Sequence, residues 1–426
     1  MQETKKKNSK ILLSLMMAVA IIISFVAGYF VKVFTTDKTT RLVSELLKVM
    51  QSQSTVLDAD ITSDEIAKQV VDKLLEYDKY AEYYTAEEYK TILAEGKGNY
   101  AEIGIVLYSN MPVVFRATGN SPAQKAGVIQ GDKVLAVKLE GQTEWQEITS
   151  SSQFNEIVKK APMDKNISVK ILRGEDEKIF EIKKMQYTAS YLTYVDSSTQ
   201  YYFEGQSNNL FGKRNDEGRN ESLDEKTAII TLEQFEGEAS SQFASALNFM
   251  FSQGREKLIL DLRDNGGGYM NILIEVASHL IYNEGKDNTE IAYAKGKSSS
   301  QSFIAKRNNF NSKLKDLVVI ANHNTASASE CLIGALLHYK DCNFTNDRLV
   351  LTKNPSREDY STYGKGIMQT TYLISTGGAF KLTTANIYWP NRTTCIHEEG
   401  IKQTNKKNQV LDKDAIARGI EILSGV

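Results

Sequence analysis

The 426-residue sequence has few cysteines, prolines and histidines and almost no net charge. Its three cysteines, Cys331, Cys342 and Cys395, are irregularly spaced and include no CxxC pair, so they support neither a disulfide framework nor a zinc site. Cys342 and Cys395 could pair outside the cell, and free buried thiols are the alternative. The net charge of −2 and the five prolines argue against a protein that binds nucleic acid or is disordered. No GxGxxG or GxxxxGKS/T motif occurs, which leaves nucleotide binding with little support.

One long apolar run lies at the N-terminus. Residues 11–31 carry no charge, and at ~1.5 Å per residue a helix of this length crosses a hydrocarbon core about 30 Å thick. Four lysines lie at positions 5–10, before the run, and fewer basic residues follow it, which favours a cytoplasmic N-terminus. The sequence therefore predicts a single-pass anchor in the cell membrane with an extracytoplasmic body. A cleaved signal peptide is the alternative.

The rest of the chain divides into three parts by its apolar pattern, in keeping with about two to three domains. Residues 40–96 show helical spacing, which predicts amphipathic helices that pack on the next domain or on a second subunit, or that form a spacer. Residues 97–185 contain short strands and turns. Residues 186–426 alternate strands and helices, which predicts an α/β core with a largely parallel sheet. A polar stretch at 195–225 reads as an inserted, mobile hairpin or loop.

The stretch "SPAQKAGVIQGDKVLAV" resembles a PDZ domain. Ser121 is a good N-cap, Pro122 suits the first helical position, and Gly127 ends a helix of one to two turns. PDZ domains bind a peptide tail by strand addition, while a loop of backbone N–H groups holds the terminal carboxylate.

In this chain the carboxylate loop would be residues 100–104. Gly104 would relieve the backbone there, and Ile103 and Ile105 would line the pocket. Burial of these isoleucines as ordinary core residues is the alternative.

Two loops follow predicted buried strands at their carboxyl ends, where α/β sheets place their ligand sites. In "DLRDNGGGYM" the glycines 266–268 expose a row of backbone N–H groups that suits an anion. In "HNTASASECL", Ser327 stands at the start of a helix, where the N–H of Ala328 can help to stabilise an oxyanion. A simple N-cap role for Thr325 or Ser327 is the alternative.

A serine nucleophile also needs a base. His323 lies four residues before Ser327, but nothing in the spacing aims it at the serine, so a packing or surface role is favoured. Lysine acts as a base near pH 7 only when burial depresses its pKa. In "TYGKGIMQ", Lys365 stands at the start of an apolar strand, and Gln369 lies on the same face by the period of two, where its amide could orient the amine. A lysine in an exposed Gly-Lys-Gly turn is the alternative.

The order of these features resembles the carboxyl-terminal processing (tail-specific) peptidases, which are Ser-Lys proteases. An anchor, a helical segment and a PDZ domain are followed by "DLRDNGGG", "TASASE" and "GKGIMQ", and "AFKLTTANIYWPNRTTCIHEEGI" is similar to the closing strands of the family. The resemblance implies that residues 186–426 form an α/β peptidase domain of the ClpP/crotonase type. It also implies peptide-bond hydrolysis through an acyl-enzyme, without a metal or cofactor.

Carried over by motif, the resemblance implies that Ser327 is the nucleophile, Lys365 the general base and Gln369 its orienting partner. The oxyanion hole is implied at the Ala328 N–H together with an N–H of the glycine loop, Gly267 or a neighbour. Two departures concern the surroundings of these groups. Lys365 follows Ser327 by 38 residues, a longer connection than is usual in the family, and "GIKQT" lacks the Pro-Asp that often follows "GI".

The partner implied is a polypeptide with an unstructured C-terminal tail, which the PDZ domain delivers while it controls activation. A homodimer formed through the helical segment is expected by analogy. A catalytically inactive, membrane-anchored PDZ adaptor is the alternative function, and a serine esterase or transpeptidase-like acyl transferase is a third.

Overall fold

The structure is a computed structural model of the chain, and it describes residues 63–74, 76–196, 199–203, 210–214, 223–282, 288–306, 312–353, 359–375 and 377–425. The predicted anchor at 11–31 and the first part of the predicted helical segment, 40–62, lie outside the described residues. The chain divides into two compact units, residues 1–73 and 74–426. No helix within the described ranges combines the length and the apolar character needed to cross a membrane.

Eight α-helices lie within the described ranges: α1 Ser63–Leu74, α2 Ala86–Glu95, α3 Pro122–Ala126, α4 Ser151–Lys160, α5 Ala239–Ser252, α6 Met270–Leu280, α7 Ala328–Tyr339 and α8 Ala415–Ser424. Local sequence explains several of their ends. The Ser121 hydroxyl accepts a hydrogen bond from the Gln124 N–H at the start of α3, and Gly127 ends this helix with a φ of 95°. Both ends of α3 are therefore those predicted from the sequence.

The strands of the described chain are β1 Glu82–Tyr84, β2 Asn99–Glu102, β3 Ile105–Leu107, β4 Val114–Ala117, β5 Lys133–Leu139, β6 Gln146–Glu147, β7 Asn166–Arg173, β8 Asp176–Lys183, β9 Met185–Thr188, β10 Leu192–Asp196, β11 Thr199–Phe203, β12 Leu210–Arg214, β13 Thr227–Leu232, β14 Lys257–Asp261, β15 Glu290–Gly296, β16 Ser300–Ile304, β17 Asp316–Ala321, β18 Leu349–Thr352, β19 Ile367–Leu373, β20 Ala379–Tyr388 and β21 Gln409–Val410. They form one large sheet, one sheet of five strands and three small sheets.

The large sheet has eight strands in the order β12-β11-β10-β13-β14-β17-β18-β21. From β13 to β21 its strands are parallel, and β10, β11 and β12 add an antiparallel edge. Alternate side chains enter two different cores. Leu258 and Leu260 pack in the core that contains α5, α6 and α7, whereas Ile259 and Ile320 pack with α8 on the other face. Burial on both faces explains why these strands read as nearly continuous apolar runs.

The polar stretch 195–225 contributes to the edge of this sheet. In its described part, β11 pairs with β10 on one side and with β12 on the other. The stretch therefore contains a hairpin that extends the sheet.

Residues 97–185 form a small β-rich region with its own core. Its sheets β3-β4 and β6-β5-β7-β8 surround a cluster that includes Ile103, Val134, Phe154 and Ile167, whereas the β2-β9 pair contributes Tyr187 to the core beneath the large sheet. The helix α4 supplies Phe154 to this cluster.

The five-stranded sheet joins the two ends of the second unit. β20 pairs with β19 along its length, and on its other side with β1 at one end and β15 at the other. The strand β1 lies inside the stretch 40–96 that was predicted to be helical, between α1 and α2. Since β1 pairs with β20, the chain after α1 is fixed to the C-terminal part of the molecule.

Candidate active site

Ser327 lies at the junction of β17 and α7, in a backbone conformation that residues other than glycine rarely adopt. Its φ is 56° and its ψ is −113°. Such a conformation costs about 1–3 kcal/mol and persists only where the surrounding structure holds it. The Ser327 N–H donates to Oε2 of Glu330 at 2.8 Å. The turn therefore places the half-buried Ser327 immediately before Ala328, the first residue of α7.

The glycine loop after β14 touches this turn. A Cβ atom built on Gly267, whose φ is 102°, would lie 2.9 Å from the Ala328 nitrogen and closer still to Cβ of Ser327. The Ala326 N–H donates to the backbone oxygen of Asn265 at 3.0 Å. Only glycine fits at position 267, because both the backbone conformation and the space exclude a side chain.

The N–H groups of the two loops differ in their hydrogen bonding. The Gly267 N–H donates to Oδ1 of Asn265 at 2.9 Å. The N–H groups of Ala328 and Gly268 donate to no acceptor within the described part of the chain. The expectation that Gly267 donates to an oxyanion therefore finds no support here, whereas Ala328 and the neighbouring Gly268 have donors available.

The other two hydroxyls of the serine turn have structural partners. The Thr325 hydroxyl donates to the backbone oxygen of Leu262 at 2.8 Å and accepts from the Asn322 N–H at 2.9 Å. The Ser329 hydroxyl donates to the backbone oxygen of Asn265 at 3.1 Å. Both side chains are fully buried. They fasten the serine turn to the glycine loop, and Ser327 alone of the three hydroxyl residues is partly exposed.

Lys365 lies in the segment that leads into β19, and it is half-buried. Burial lowers the pKa of its amine, the Lys381 ammonium lowers it further, and the Glu330 carboxylate opposes both effects. Within the described residues, Nζ of Lys365 forms no hydrogen bond or ion pair, and it lies 5.1 Å from the centroid of the Tyr80 ring. These surroundings increase the fraction of Lys365 side chains that are neutral near pH 7, in comparison with an exposed lysine.

Glu330 joins the serine turn to the lysine segment. Its Oε2 accepts from the Ser327 N–H at 2.8 Å and from the Lys365 N–H at 2.9 Å. Its Oε1 accepts from the Gly364 N–H at 2.8 Å and from the Thr362 hydroxyl at 2.5 Å. One side chain thus fixes the backbone positions of both candidate catalytic residues.

All four partners of Glu330 are donors. The Thr362 hydroxyl accepts from the Ile401 N–H at 2.7 Å, so its own proton is directed to Glu330. Burial raises the pKa of the Glu330 carboxyl, and the four hydrogen bonds lower it. Three of the four partners are backbone N–H groups, which can only donate, and we assign the carboxylate form because it accepts from all of them.

Sequence reasoning did not assign a role to Glu330. The signal was present, since Ser327 and Glu330 follow the S-x-x-E pattern in which an acidic side chain caps the helix start. The pattern locates the Ser327 N–H as one partner. It gives no sign of the second loop that the same carboxylate holds.

The structure does not bring Gln369 into hydrogen-bonding contact with Lys365. Nε2 of Gln369 is buried and has no hydrogen-bond partner among the described residues. A register irregularity lies between Met368 and Gln369, and β19 begins only at Ile367. The irregularity is an extra residue on the partner strand, Thr384, so it leaves the alternation along β19 intact, but Lys365 lies before the first residue of that strand. His323, the other candidate base, lies in the turn after β17.

The predicted peptide-binding residues of the PDZ-like region lie mainly in its core. Ile103 is 1% exposed and Ile105 is 6% exposed, and both belong to the buried cluster of this region. Gly104 has a φ of 83°, and its backbone oxygen accepts from the Thr118 N–H. These side chains do not line an open pocket here. The strand β3 pairs only with β4 within the described chain, so its other edge is unpaired.

Two hydrogen bonds connect the PDZ-like region to the loops around Ser327. Nε2 of Gln130 donates to Oδ2 of Asp264 at 2.8 Å, next to the glycine loop. Asp264 in turn accepts from the side chain of Asn322, at the end of β17, at 2.9 Å. The Arg116 guanidinium donates to Oε1 of Gln234 at 2.6 Å. The PDZ-like region therefore contacts the same loops that position the serine.

Comparison with known proteins relates these features to a peptidase family. Residues 226–343 match the peptidase family S41. The chain is 25% identical over 347 residues to a probable CtpA-like serine protease of Staphylococcus aureus (strain bovine RF122 / ET3-1), covering 80% of this chain and 60% of the relative. It is 26% identical over 349 residues, with the same coverage, to the corresponding protein of Staphylococcus epidermidis (strain ATCC 12228 / FDA PCI 1200). The similarity thus spans about 60% of the length of these curated relatives.

The fold is similar to that of a photosystem II D1 C-terminal processing protease. The TM-score is 0.53 at 20% identity, and the similarity covers 89% of this chain and 90% of the other. The mixed α/β fold expected from the sequence is confirmed. The resemblance to the carboxyl-terminal processing peptidases is confirmed as well, by the family match and the curated relatives. The family match includes Gly267 and Ser327 and ends before Lys365.

Proposed function

We propose that this chain, a relative of the family S41 serine peptidases, is an endopeptidase that cleaves polypeptides through Ser327 and Lys365. The observation that carries the proposal is the Glu330 carboxylate, which holds the backbone N–H groups of both residues on one oxygen atom, at 2.8 and 2.9 Å. A serine at a strained turn before a helix and a lysine with a depressed pKa supply the two groups that acyl transfer requires.

The reaction follows from these groups. The neutral amine of Lys365 takes the hydroxyl proton while Oγ of Ser327 attacks the substrate carbonyl. The ammonium then returns the proton to the leaving amine, which departs as the peptide C–N bond breaks and the acyl-enzyme remains. Water attacks the ester with Lys365 again as base, and the carboxylic acid product and free serine are restored.

The developing oxyanion receives hydrogen bonds from two backbone donors in this proposal. The Ala328 N–H is the first, at the N-terminus of α7, where the helix dipole also favours negative charge. The second is the Gly268 N–H, since the Gly267 N–H already has the Asn265 side chain as acceptor. Preorganised donors of this kind are typically worth about 10²–10³-fold in rate each.

Recognition of a C-terminal tail by the PDZ-like region is the finer part of the proposal. An extended peptide would add to the unpaired edge of β3, beside α4, whose first residue Ser151 accepts a hydrogen bond from the Asn110 N–H in the β3–β4 turn. Because Ile103 and Ile105 are buried, specificity would come from the groove between β3 and α4. The hydrogen bond between Gln130 and Asp264 is the route by which tail binding would reach the catalytic loops.

We also propose that residues 11–31 anchor the chain in the cell membrane with the catalytic body outside the cytoplasm. The support is the uncharged run itself and the lysines that precede it. A homodimer formed through residues 40–96 belongs to the same proposal.

The function is tested on the full-length chain purified in detergent, with an unfolded protein as substrate. We expect wild type to cleave it, and Ser327→Ala and Lys365→Ala to lose at least about 10³-fold in kcat/KM. His323→Ala should retain cleavage. Absence of Ser327-dependent cleavage would favour the adaptor function, and loss of activity in His323→Ala but not in Lys365→Ala would assign the base to the histidine.

A further inference from the structure

The segment of residues 76–84, here called the N-terminal strap, is fastened to β20 by several polar contacts. Oδ2 of Asp78 accepts from the Thr383 N–H at 2.7 Å, and Oδ1 accepts from the Thr383 hydroxyl at 3.0 Å. At the end of the strap, Nζ of Lys381 forms an ion pair with Glu82 at 2.7 Å. The strand pairing of β1 with β20 adds backbone hydrogen bonds. The position of the strap relative to the active site is therefore fixed.

The strap places one aromatic ring against the candidate general base. Nζ of Lys365 lies 5.1 Å from the centroid of the Tyr80 ring, within the range of a cation–π contact. The Tyr80 N–H donates to Oδ1 of Asp78 at 3.0 Å, and Asp78 is itself bonded to Thr383 of β20. The backbone that carries the ring is thus fixed to β20.

We propose that Tyr80 is a positioning residue for Lys365, which holds the amine against its ring and sets the protonation equilibrium of the base. This inference deepens the proposed function and rests on it. Nothing in the sequence motifs around Ser327 and Lys365 includes Tyr80, which lies 285 residues before the lysine along the chain.

Two opposite effects of the ring act on the amine. The face of the ring attracts the ammonium form, worth about 0.5–2 kcal/mol depending on exposure, and so raises the pKa of Lys365. The bulk of the ring also excludes water from Nζ, which disfavours the ammonium and lowers the pKa. The two effects can be separated, because leucine keeps most of the bulk without the ring electrons and alanine removes both.

Other charged groups around the contact have to stay constant in such a comparison. Lys381 on β20 lowers the pKa of Lys365, and Glu330 on α7 raises it. Lys79, also on the strap, has its Nζ 5.1 Å from the centroid of the same ring. None of these is altered by substitution of Tyr80.

The test measures the pH dependence of kcat/KM for Tyr80→Phe, Tyr80→Leu and Tyr80→Ala in the full-length chain. The neutral amine is the active form, so activity rises with pH and the midpoint of this rise reports the pKa of Lys365. We expect the midpoint to stay at the wild-type value in Tyr80→Phe. It should fall by about half a pH unit or more in Tyr80→Leu, and it should be higher in Tyr80→Ala than in Tyr80→Leu, because alanine also readmits water to the amine.

Tyr77→Leu is the matched control, because Tyr77 lies on the same strap and is 89% exposed. Its midpoint should equal that of wild type. A purely structural role for Tyr80 would change activity without moving the midpoint. The inference is overturned if Tyr80→Leu and Tyr80→Ala leave the midpoint unchanged or give the same midpoint as each other.

A second measurement separates failure of this inference from failure of the proposed function. Acetic anhydride labels only neutral amines, so the extent of Lys365 acetylation against pH, read by mass spectrometry, gives its pKa without any need for activity. It is applied to the same Tyr80 variants in a Ser327→Ala background. Different labelling midpoints in Tyr80→Leu and Tyr80→Ala, together with no cleavage by the chain that retains Ser327, would support Tyr80 and refute the peptidase. Cleavage by the chain that retains Ser327, together with unchanged labelling midpoints, would do the reverse.

Discussion

Gly267 and Ser327 are in direct contact, since a Cβ atom added to Gly267 would lie 2.8 Å from Cβ of Ser327. Real side chains do not approach so closely, and a φ of 102° adds strain for any residue with a Cβ atom. We expect Gly267→Ala to displace the serine turn and to lower kcat/KM by about 10²-fold or more, measured with an unfolded protein substrate. The neighbouring Gly266→Ala is the control, because a Cβ atom there meets nothing within 4 Å. Equal losses in the two variants would contradict this account.

Glu330→Gln should damage both the stability and the activity of the protein. The amide would place a donor where the carboxylate accepts from two N–H groups, and leaving such buried groups without a partner costs about 1–3 kcal/mol each. We expect a loss of about 2–4 kcal/mol in the free energy of unfolding in urea. We also expect a fall in kcat of at least about 10²-fold, because both catalytic residues lose their fixed positions.

Thr362→Val provides the comparison, since it removes one of the four donors to Glu330 and leaves the carboxylate in place. Its effect on both quantities should be clearly smaller. If the midpoint of urea unfolding is the same in Glu330→Gln as in wild type, the carboxylate does not hold the serine turn and the lysine segment together.

Much of the candidate site could be predicted because its chemistry is local in sequence. The serine turn, the glycine loop and the lysine segment each lie within a short motif, and the cap of α3 by Ser121 follows from helix-end preferences. Glu330 could be predicted only in part. Its bond to the Ser327 N–H follows a local pattern, whereas its bond to the Lys365 N–H joins residues whose proximity depends on the complete fold.

Predictions from the sequence are least complete where segments distant along the chain decide the structure. Residues 82–84 lie between helical patterns, yet they form a strand because β20 supplies their partner, with Glu82 and Lys381 separated by 299 residues. The orienting role of Gln369 stays a prediction. It rests on a count of alternate residues from Lys365, which lies before β19 begins at Ile367.

Gln130→Ala should weaken the communication between the PDZ-like region and the catalytic loops. Its hydrogen bond to Asp264, a charged acceptor, is worth about 1 kcal/mol, or roughly fivefold in rate. We expect the preference for a substrate with a PDZ-binding tail over the same substrate without it to fall by about this factor. Cleavage of the substrate without the tail should change less than twofold.

Gln142→Ala is the control for Gln130→Ala, because Gln142 is exposed in the same region and bonds only within it. It should keep the full preference for the tail. An unchanged preference in Gln130→Ala would show that tail binding reaches the active site by another route.

Glu102→Gln should stabilise the protein at alkaline pH. Burial raises the pKa of the Glu102 carboxyl to about 7, and the Glu95 carboxylate adds to this effect. The carboxyl therefore ionises at a higher pH in the folded state than in the unfolded chain, where it ionises at about pH 4.3. The contribution of Glu102 to the free energy of unfolding falls as the pH rises from about 4.3 to 7. At pH 8 we expect the free energy of unfolding of Glu102→Gln to exceed that of wild type by about 1–3 kcal/mol.

The advantage of Glu102→Gln should shrink towards zero at pH 4, where Glu102 is mostly protonated in both the folded and the unfolded wild type. Urea unfolding at the two pH values measures the difference. A constant difference at both pH values would mean that ionisation of Glu102 is not its cause.

Under the proposed function, the pairing of β1 with β20 also bears on when during synthesis the chain would become active. The Tyr80 ring reaches Lys365 only after a strand near residue 82 has met one near residue 381, and contacts so distant in sequence form slowly. A ribosome-bound chain that has not yet emerged as far as β20 lacks both this contact and the partner strand of β19. Proteolytic competence would therefore appear only once nearly the whole chain has been made, so that unfinished chains would not digest their neighbours.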